Sequence, residues 1–279
     1  MMKRLLIIGG YGNFGSYIAR SLASDPAIRL LIGGRSVEKA ERFIASLETA
    51  NPAEAHRIDI DADVGAALEA IAPDIVVHTT GPFQTQDYRV ARACIAQGCH
   101  YLDLADARDF VAQIGSLDAA AKAKSVLVVS GASSVPCLTA AVIDHHLPGF
   151  ERLDSIDYGI SAAQQTNRGL ATTSAILSYV GKPFETTRDG EPISVFGWQD
   201  THGERYPELG RRWFGNCDIP DLALFPSRYP QLQNLRFAAG HELALVGGPV
   251  RDAFLGRDSN DLDFASSATP DEILAIVAP

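Results

Sequence analysis

Along the first 130 positions, short unbroken apolar runs alternate with segments of helical spacing. "RLLIIG", "IRLLIGG", "DIVVHTTG" and "SVLVVSGA" are too short for helices and each reaches a glycine. That is the pattern of strands buried on both faces of a parallel sheet. "HRIDID" and "CHYLDLAD" complete a set of six predicted strands. The intervening segments predict helices: Phe14, Ile18 and Leu22 at spacing four, "SVEKAERFIASLETA" with Ser36 as N-cap, "VGAALEAIA", "QDYRVARACIAQG" closed by Gly98, and residues 109–124. Repeated strand-helix units imply right-handed crossovers and an α/β fold of the Rossmann type.

From Arg152 the pattern changes. "LDSIDYGIS" alternates Leu153, Ile156, Tyr158 and Ile160, as a half-buried strand does. "ATTSAILSYVG" predicts a helix ending at Gly181, and short segments rich in Gly, Pro and aromatics follow up to Pro230. This region predicts a second, α+β domain. "HELALVGG", a short helix from Pro249 to Gly256, and "DLDFA" predict a closing strand-helix-strand unit. The expected division is 1–150, 151–238 and 239–279.

Within that frame the first loop carries chemistry. Gly10, Gly12 and Gly15 form G-x-G-x-x-G directly after a strand and at the opening of a helix. The spacing permits a tight turn, a close backbone approach to a pyrophosphate, and close helix–strand packing. The helix N-terminus adds free N–H groups and partial positive charge. Gly9, Gly10, Gly12, Asn13, Phe14 and Gly15 are therefore the expected phosphate loop of a dinucleotide site. At the end of the second strand an NAD site usually carries an acid. Here the chain reads "IGGRS", and Arg35 with Ser36 stands at that end, which favours NADP over NAD because a guanidinium suits a 2′-phosphate. Thr80, Gly81 and Pro82 follow the fourth strand and are expected to shape the nicotinamide side. Asp103 and Asp106, after the fifth strand, are the candidate catalytic carboxylates, though caps or solvated acids fit the same spacing. His145 and His146 at a helix end are expected to be structural, and Arg211 and Arg212 beside Trp213 either bind an anion or pack on the indole.

Composition narrows the classes. The 279 residues are 46% hydrophobic with 24 glycines and a formal charge of −10. An acidic chain of pI about 5.1 is a poor general nucleic-acid binder. Cys94, Cys99, Cys137 and Cys217 lack CxxC spacing, so free thiols in a reducing cytoplasm are expected. The apolar run after Lys3 and Arg4 is too short for a signal peptide, and no run is long enough to span a membrane. The expected partner is a small-molecule substrate, and a homo-oligomer is a possible assembly.

"IIGGYGNFG", "HTTGPFQTQDYRVARACIAQGCHYLDLAD" and "SGASSVPCLTAAVID" resemble the saccharopine dehydrogenase-like oxidoreductases. The resemblance continues through "VFGWQ" and "LGRRWFGNCDIPDLALFPSRYP", over roughly residues 3–240. It implies an NADP-binding Rossmann domain, a following substrate domain, and NAD(P)-linked hydride transfer on an unspecified substrate. It also implies that the substrate domain is shortened here, because the likeness changes over near Gly240.

"LVGGPVRDAFLGRDSNDLDFASSATPDEI" resembles the head of the CCA-adding tRNA nucleotidyltransferase and poly(A) polymerase family. That likeness implies triphosphate contacts from Gly247 and Gly248, beside Arg251, and Mg²⁺ at Asp261 and Asp263, with tRNA as partner. Alternate strand residues share a face, so the two aspartates project together, about 6.6 Å apart at Cα. Against activity, residues 239–279 hold two basic and seven acidic side chains. Three readings follow: an NAD(P) oxidoreductase first, an idle nucleotide-binding module second, and a nucleotidyltransferase third.

Overall fold

The computed structural model describes residues 2–161, 178–208, 210–240, and the backbone of 244–245 and 264–265. Contacts divide the chain into two units, Met1–Phe150 with Ile219–Leu224, and Glu151–Asp218 with Phe225–Pro279.

The first unit is built on a six-stranded parallel sheet of order β3-β2-β1-β4-β5-β6, from β1 (Lys3–Ile8), β2 (Ile28–Gly34), β3 (Glu54–Arg57), β4 (Ile75–His78), β5 (His100–Asp103) and β6 (Val128–Val129). This is the doubly wound order of dinucleotide-binding folds, with its reversal point between β1 and β4. The alternation of β1 shows why its residues are all apolar. Leu6 and Ile8 enter one core cluster with Leu68, Val90 and Cys94, while Leu5 and Ile7 enter another with Ala19, Leu30 and Ala40. A period of two with both faces covered leaves no polar position between Leu5 and Ile8.

Helices α1 (Asn13–Leu22) and α2 (Val37–Ile44) flank one face; α3 (Val64–Ile71) and α4 (Arg89–Gln97) contribute to the cluster on the other. Ser36 caps α2, its hydroxyl accepting from Lys39 N–H, and Gly98 ends α4 at a positive φ of 73°.

Four local expectations are corrected. In α1, Ile18 and Leu22 pack against the core beside the buried Gly15 and Ala19, whereas Phe14 is 52% exposed. The helix expected over 109–124 is three short pieces: α5 (Arg108–Ala112), a 3₁₀ turn at Ile114–Leu117, and α6 (Asp118–Ala123). The break follows Gln113, whose φ/ψ leave the helical region. The third strand starts two residues before "HRIDID" and ends at its second residue, Arg57, and the sixth holds only Val128 and Val129. Helix α7 (Thr139–His146) has no buried residue, and His145 and His146 are exposed. Thr139 donates a hydrogen bond to the buried Asp221, in the returning segment Ile219–Leu224.

The second unit centres on β12 (Asn234–Gly240). It pairs in parallel with β7 (Ser155–Ser161) and antiparallel with β8 (Pro183–Arg188) and β11 (Gly210–Asn216). β9 (Glu191–Phe196) and β10 (His202–Tyr206) extend the sheet to either side. Tyr158 stacks on Phe225 of α8 (Asp221–Arg228) and meets Phe237 edge-on, which explains the aromatic content of this region. The Arg211 guanidinium lies 4.5 Å over the Trp213 ring. Separately, β13 (Ala244–Leu245) pairs antiparallel with β14 (Phe264–Ala265). Among the described residues no helix is long and apolar enough to cross a membrane.

Candidate dinucleotide site

The site lies at the carboxyl ends of β1, β2, β4 and β5. Gly9 leaves β1 at φ +81° and donates its N–H to Gly33 O at 2.9 Å. Gly12 N–H closes back on Gly9 O at 2.8 Å, and α1 begins at the next residue. A Cβ at Gly15 would sit 2.2 Å from Gly9 O and 2.8 Å from Gly10 Cα, so only glycine lets the helix approach this loop. A Cβ at Gly12 would meet nothing but Gly9 within 4 Å. The middle glycine therefore borders open space while the outer one borders backbone. No side chain caps α1, because Gly12 is its N-cap. A helix N-terminus with no capping side chain is the arrangement that receives phosphate.

The second loop is fastened to the first. Thr79 N–H and Oγ1 both donate to Ile8 O, at 3.0 and 2.9 Å. Gln86 Nε2 donates to Thr80 O at 2.6 Å and to Pro82 O at 3.1 Å, gathering the loop around the cis Gly81–Pro82 peptide.

His78, which sequence reasoning missed, lies beneath this loop and is 1% exposed. Its Nε2 is 2.6 Å from Thr80 Oγ1 and its Nδ1 is 3.1 Å from Tyr101 Oη. Burial lowers its pKa to about 4, so the ring is neutral at ordinary pH. The only signal in the sequence is a histidine directly after the apolar run "IVV".

The two candidate carboxylates occupy different surroundings. Asp103 is fully buried; its Oδ1 accepts from Ala105 N–H, Gly131 N–H and Ser130 Oγ, at 3.0, 2.9 and 2.9 Å. Burial raises its pKa, against the lowering effect of those donors. Asp106 is half-buried and accepts from Gln84 Nε2 at 3.3 Å. Burial raises its pKa as well.

At the far end of the site, Arg35 is exposed, and none of the ion pairs formed among the described residues involves it. The Ser36 hydroxyl is engaged at both ends, accepting from Lys39 N–H and donating to Glu38 at 2.7 Å. Asn13 opens α1, and its carbonyl accepts from Ser16 Oγ. Gly247, Gly248, Arg251, Asp261 and Asp263 lie outside the described residues.

Residues 5–129 match the family model for the saccharopine dehydrogenase NADP binding domain. Residues 243–278 match that for the poly A polymerase head domain. Apo saccharopine dehydrogenase (L-Glu forming) from Saccharomyces cerevisiae superposes with a TM-score of 0.64 at 13% identity, over 85% of this chain and 55% of that one. The CCA-adding enzyme of Levilactobacillus brevis is 49% identical over 49 residues, 18% of this chain and 12% of the enzyme. That of Staphylococcus aureus is 45% identical over 56 residues, 20% of this chain and 14% of the enzyme. The chain therefore spans a small part of the curated relatives it matches. Its first unit is a Rossmann-like fold matched by an NADP-binding model, and its last segment is similar to a polymerase head.

Proposed function

We propose that the first unit binds NADP and serves an oxidoreductase of the saccharopine dehydrogenase-like type. The observation that carries this is the Gly9–Gly15 loop: an uncapped helix N-terminus, a middle glycine facing open space, and a backbone approach at Gly15 that excludes any side chain. Gly10, Gly12 and the first turn of α1 would hold the pyrophosphate, and the unpaired Arg35 the 2′-phosphate. The bound nicotinamide supplies hydride transfer. The chain's own residues supply the rest. Thr80, Gly81 and Pro82 shape the loop beside the β1–β4 switch point. Asp106, half-buried and raised in pKa, suits proton exchange with a substrate better than Asp103, whose Oδ1 is committed to three donors. No substrate is assigned.

A second reading has one observation in its favour, the tail's likeness to CCA-adding enzymes. It requires Mg²⁺ at Asp261 and Asp263 and a tRNA partner. Thermal shift with NADPH, NADH, and CTP or ATP plus Mg²⁺ separates the two. A rise with NADPH exceeding that with NADH, reduced in Arg35→Ala, supports the first reading. A rise only with CTP or ATP and Mg²⁺, lost in Asp261→Ala, supports the second. No rise with any of them removes both.

A further inference from the structure

The end of β2 holds a contact that neither the glycine motif nor Arg35 accounts for. Gly34 is buried at the last position of the strand, where an NAD-type fold carries its ribose-binding acid. A Cβ built on Gly34 would fall 2.5 Å from Tyr11 Cε1, 2.6 Å from its hydroxyl oxygen and 2.7 Å from Cζ. Tyr11 stands between the first two glycines of the loop, so a phenol from the phosphate loop fills the volume an acid would use. Ser36 N–H donates to the Tyr11 hydroxyl at 3.1 Å, tying the loop to the start of α2. That oxygen then acts as an acceptor, and its own proton meets no acceptor among the described residues. Tyr11 is half-buried, and its hydroxyl lies against Gly34 and the backbone of Ser36, the two residues that flank Arg35 in the chain. Arg57, paired in register with Gly34 on β3, adds a second exposed cation at the same edge.

We infer that Tyr11 is the specificity-determining residue of this site. Its ring excludes a carboxylate at position 34, and its hydroxyl donates to the adenosine 2′-phosphate beside Arg35. The inference rests on the NADP reading above and adds a residue and a device to it. The device has two halves, one steric and one polar, and they can be separated. A carboxylate at 34 would have to displace the Tyr11 ring from its place, so Gly34→Asp alone is expected to disturb the loop rather than to reverse selectivity. The hydroxyl is read only by a ligand bearing the 2′-phosphate.

The test is calorimetric titration with two probes, 2′,5′-ADP and 5′-ADP, of the wild-type full chain, Tyr11→Phe, Gly34→Asp, and Tyr11→Ala/Gly34→Asp. The wild type is expected to bind 2′,5′-ADP more tightly. Tyr11→Phe keeps the ring and should weaken 2′,5′-ADP about tenfold, the loss of one charge-assisted hydrogen bond, while 5′-ADP changes less than about twofold. The double variant should favour 5′-ADP, and Gly34→Asp alone should not gain affinity for it. Equal effects of Tyr11→Phe on both probes, or none on either, would overturn the polar half. A gain of 5′-ADP affinity in Gly34→Asp alone would overturn the steric half. If the wild type binds neither probe, this inference and the NADP reading fall together; if it binds both and the ratio ignores Tyr11, only the inference falls.

Discussion

His78 makes the stability of the first unit depend on pH in a calculable way. Its folded pKa is about 4, lowered by burial from 6.5. A base whose folded pKa is depressed binds a proton less readily in the native state than in the unfolded chain. Its neutral form is therefore compatible with full stability above pH 6.5, and stability is lost as pH falls from 6.5 towards 4. At pH 5 the unfolded histidine is almost wholly protonated and the folded one almost wholly neutral. The difference between pH 7.5 and pH 5 comes to about 2 kcal/mol, or roughly 30-fold in the unfolding equilibrium. Asp103 and Asp106, with pKa values raised by burial, act in the opposite sense. A comparison of wild type with His78→Gln cancels them. The assay is amide hydrogen exchange read on peptides covering β1, β4 and β5 at pH 5 and 7.5, corrected for the intrinsic pH dependence. Protection in the wild type should fall roughly 30-fold more between the two pH values than it does in His78→Gln. Identical pH dependence in the two proteins would refute the neutral, enclosed histidine.

Gly15→Ala should lower the melting temperature by several degrees and abolish NADPH binding. Its Cβ meets backbone at 2.2 Å, and an overpacking cost of about 1–3 kcal/mol outweighs a helix-propensity gain below about 1. Asp103→Ala should cost about 3 kcal/mol or more in urea unfolding, because it strands the buried N–H groups of Ala105 and Gly131. Arg211→Ala should change stability by no more than about 1 kcal/mol, since its cation–π contact is to a Trp213 that is 56% exposed.

Much of the first unit was legible because local pattern and long-range packing agree there. The apolar runs of β1, β2 and β4 are buried on both faces, and Gly10, Gly12 and Gly15 occupy the turn their spacing implies. Other features depend on contacts between distant residues. Tyr11 meets Gly34 across 23 positions of chain, and no periodicity announces it. Of the apolar stripe of α1, Ile18 and Leu22 pack on the sheet beside the small Gly15 and Ala19, while Phe14, in the first turn, lies away from it. The return of Ile219–Leu224 to the first unit is set by such contacts as Leu224 against the Phe83–Phe110 cluster, which spacing alone does not encode. Asp103 and Asp106 looked equivalent in sequence, and what separates them is the fuller burial of Asp103 and the three donors gathered on its Oδ1.

The central claim is that the amides at the start of α1 hold a dinucleotide's phosphates. Isothermal titration of NADPH into the wild type and Gly12→Val tests it most directly, because a side chain at Gly12 would enter the ligand's space while meeting only Gly9 in the protein. Saturable NADPH binding by the wild type, and its loss in a Gly12→Val protein that still melts cooperatively, is the expected result. Heat-silent wild type, or a valine variant that binds as tightly, would contradict it.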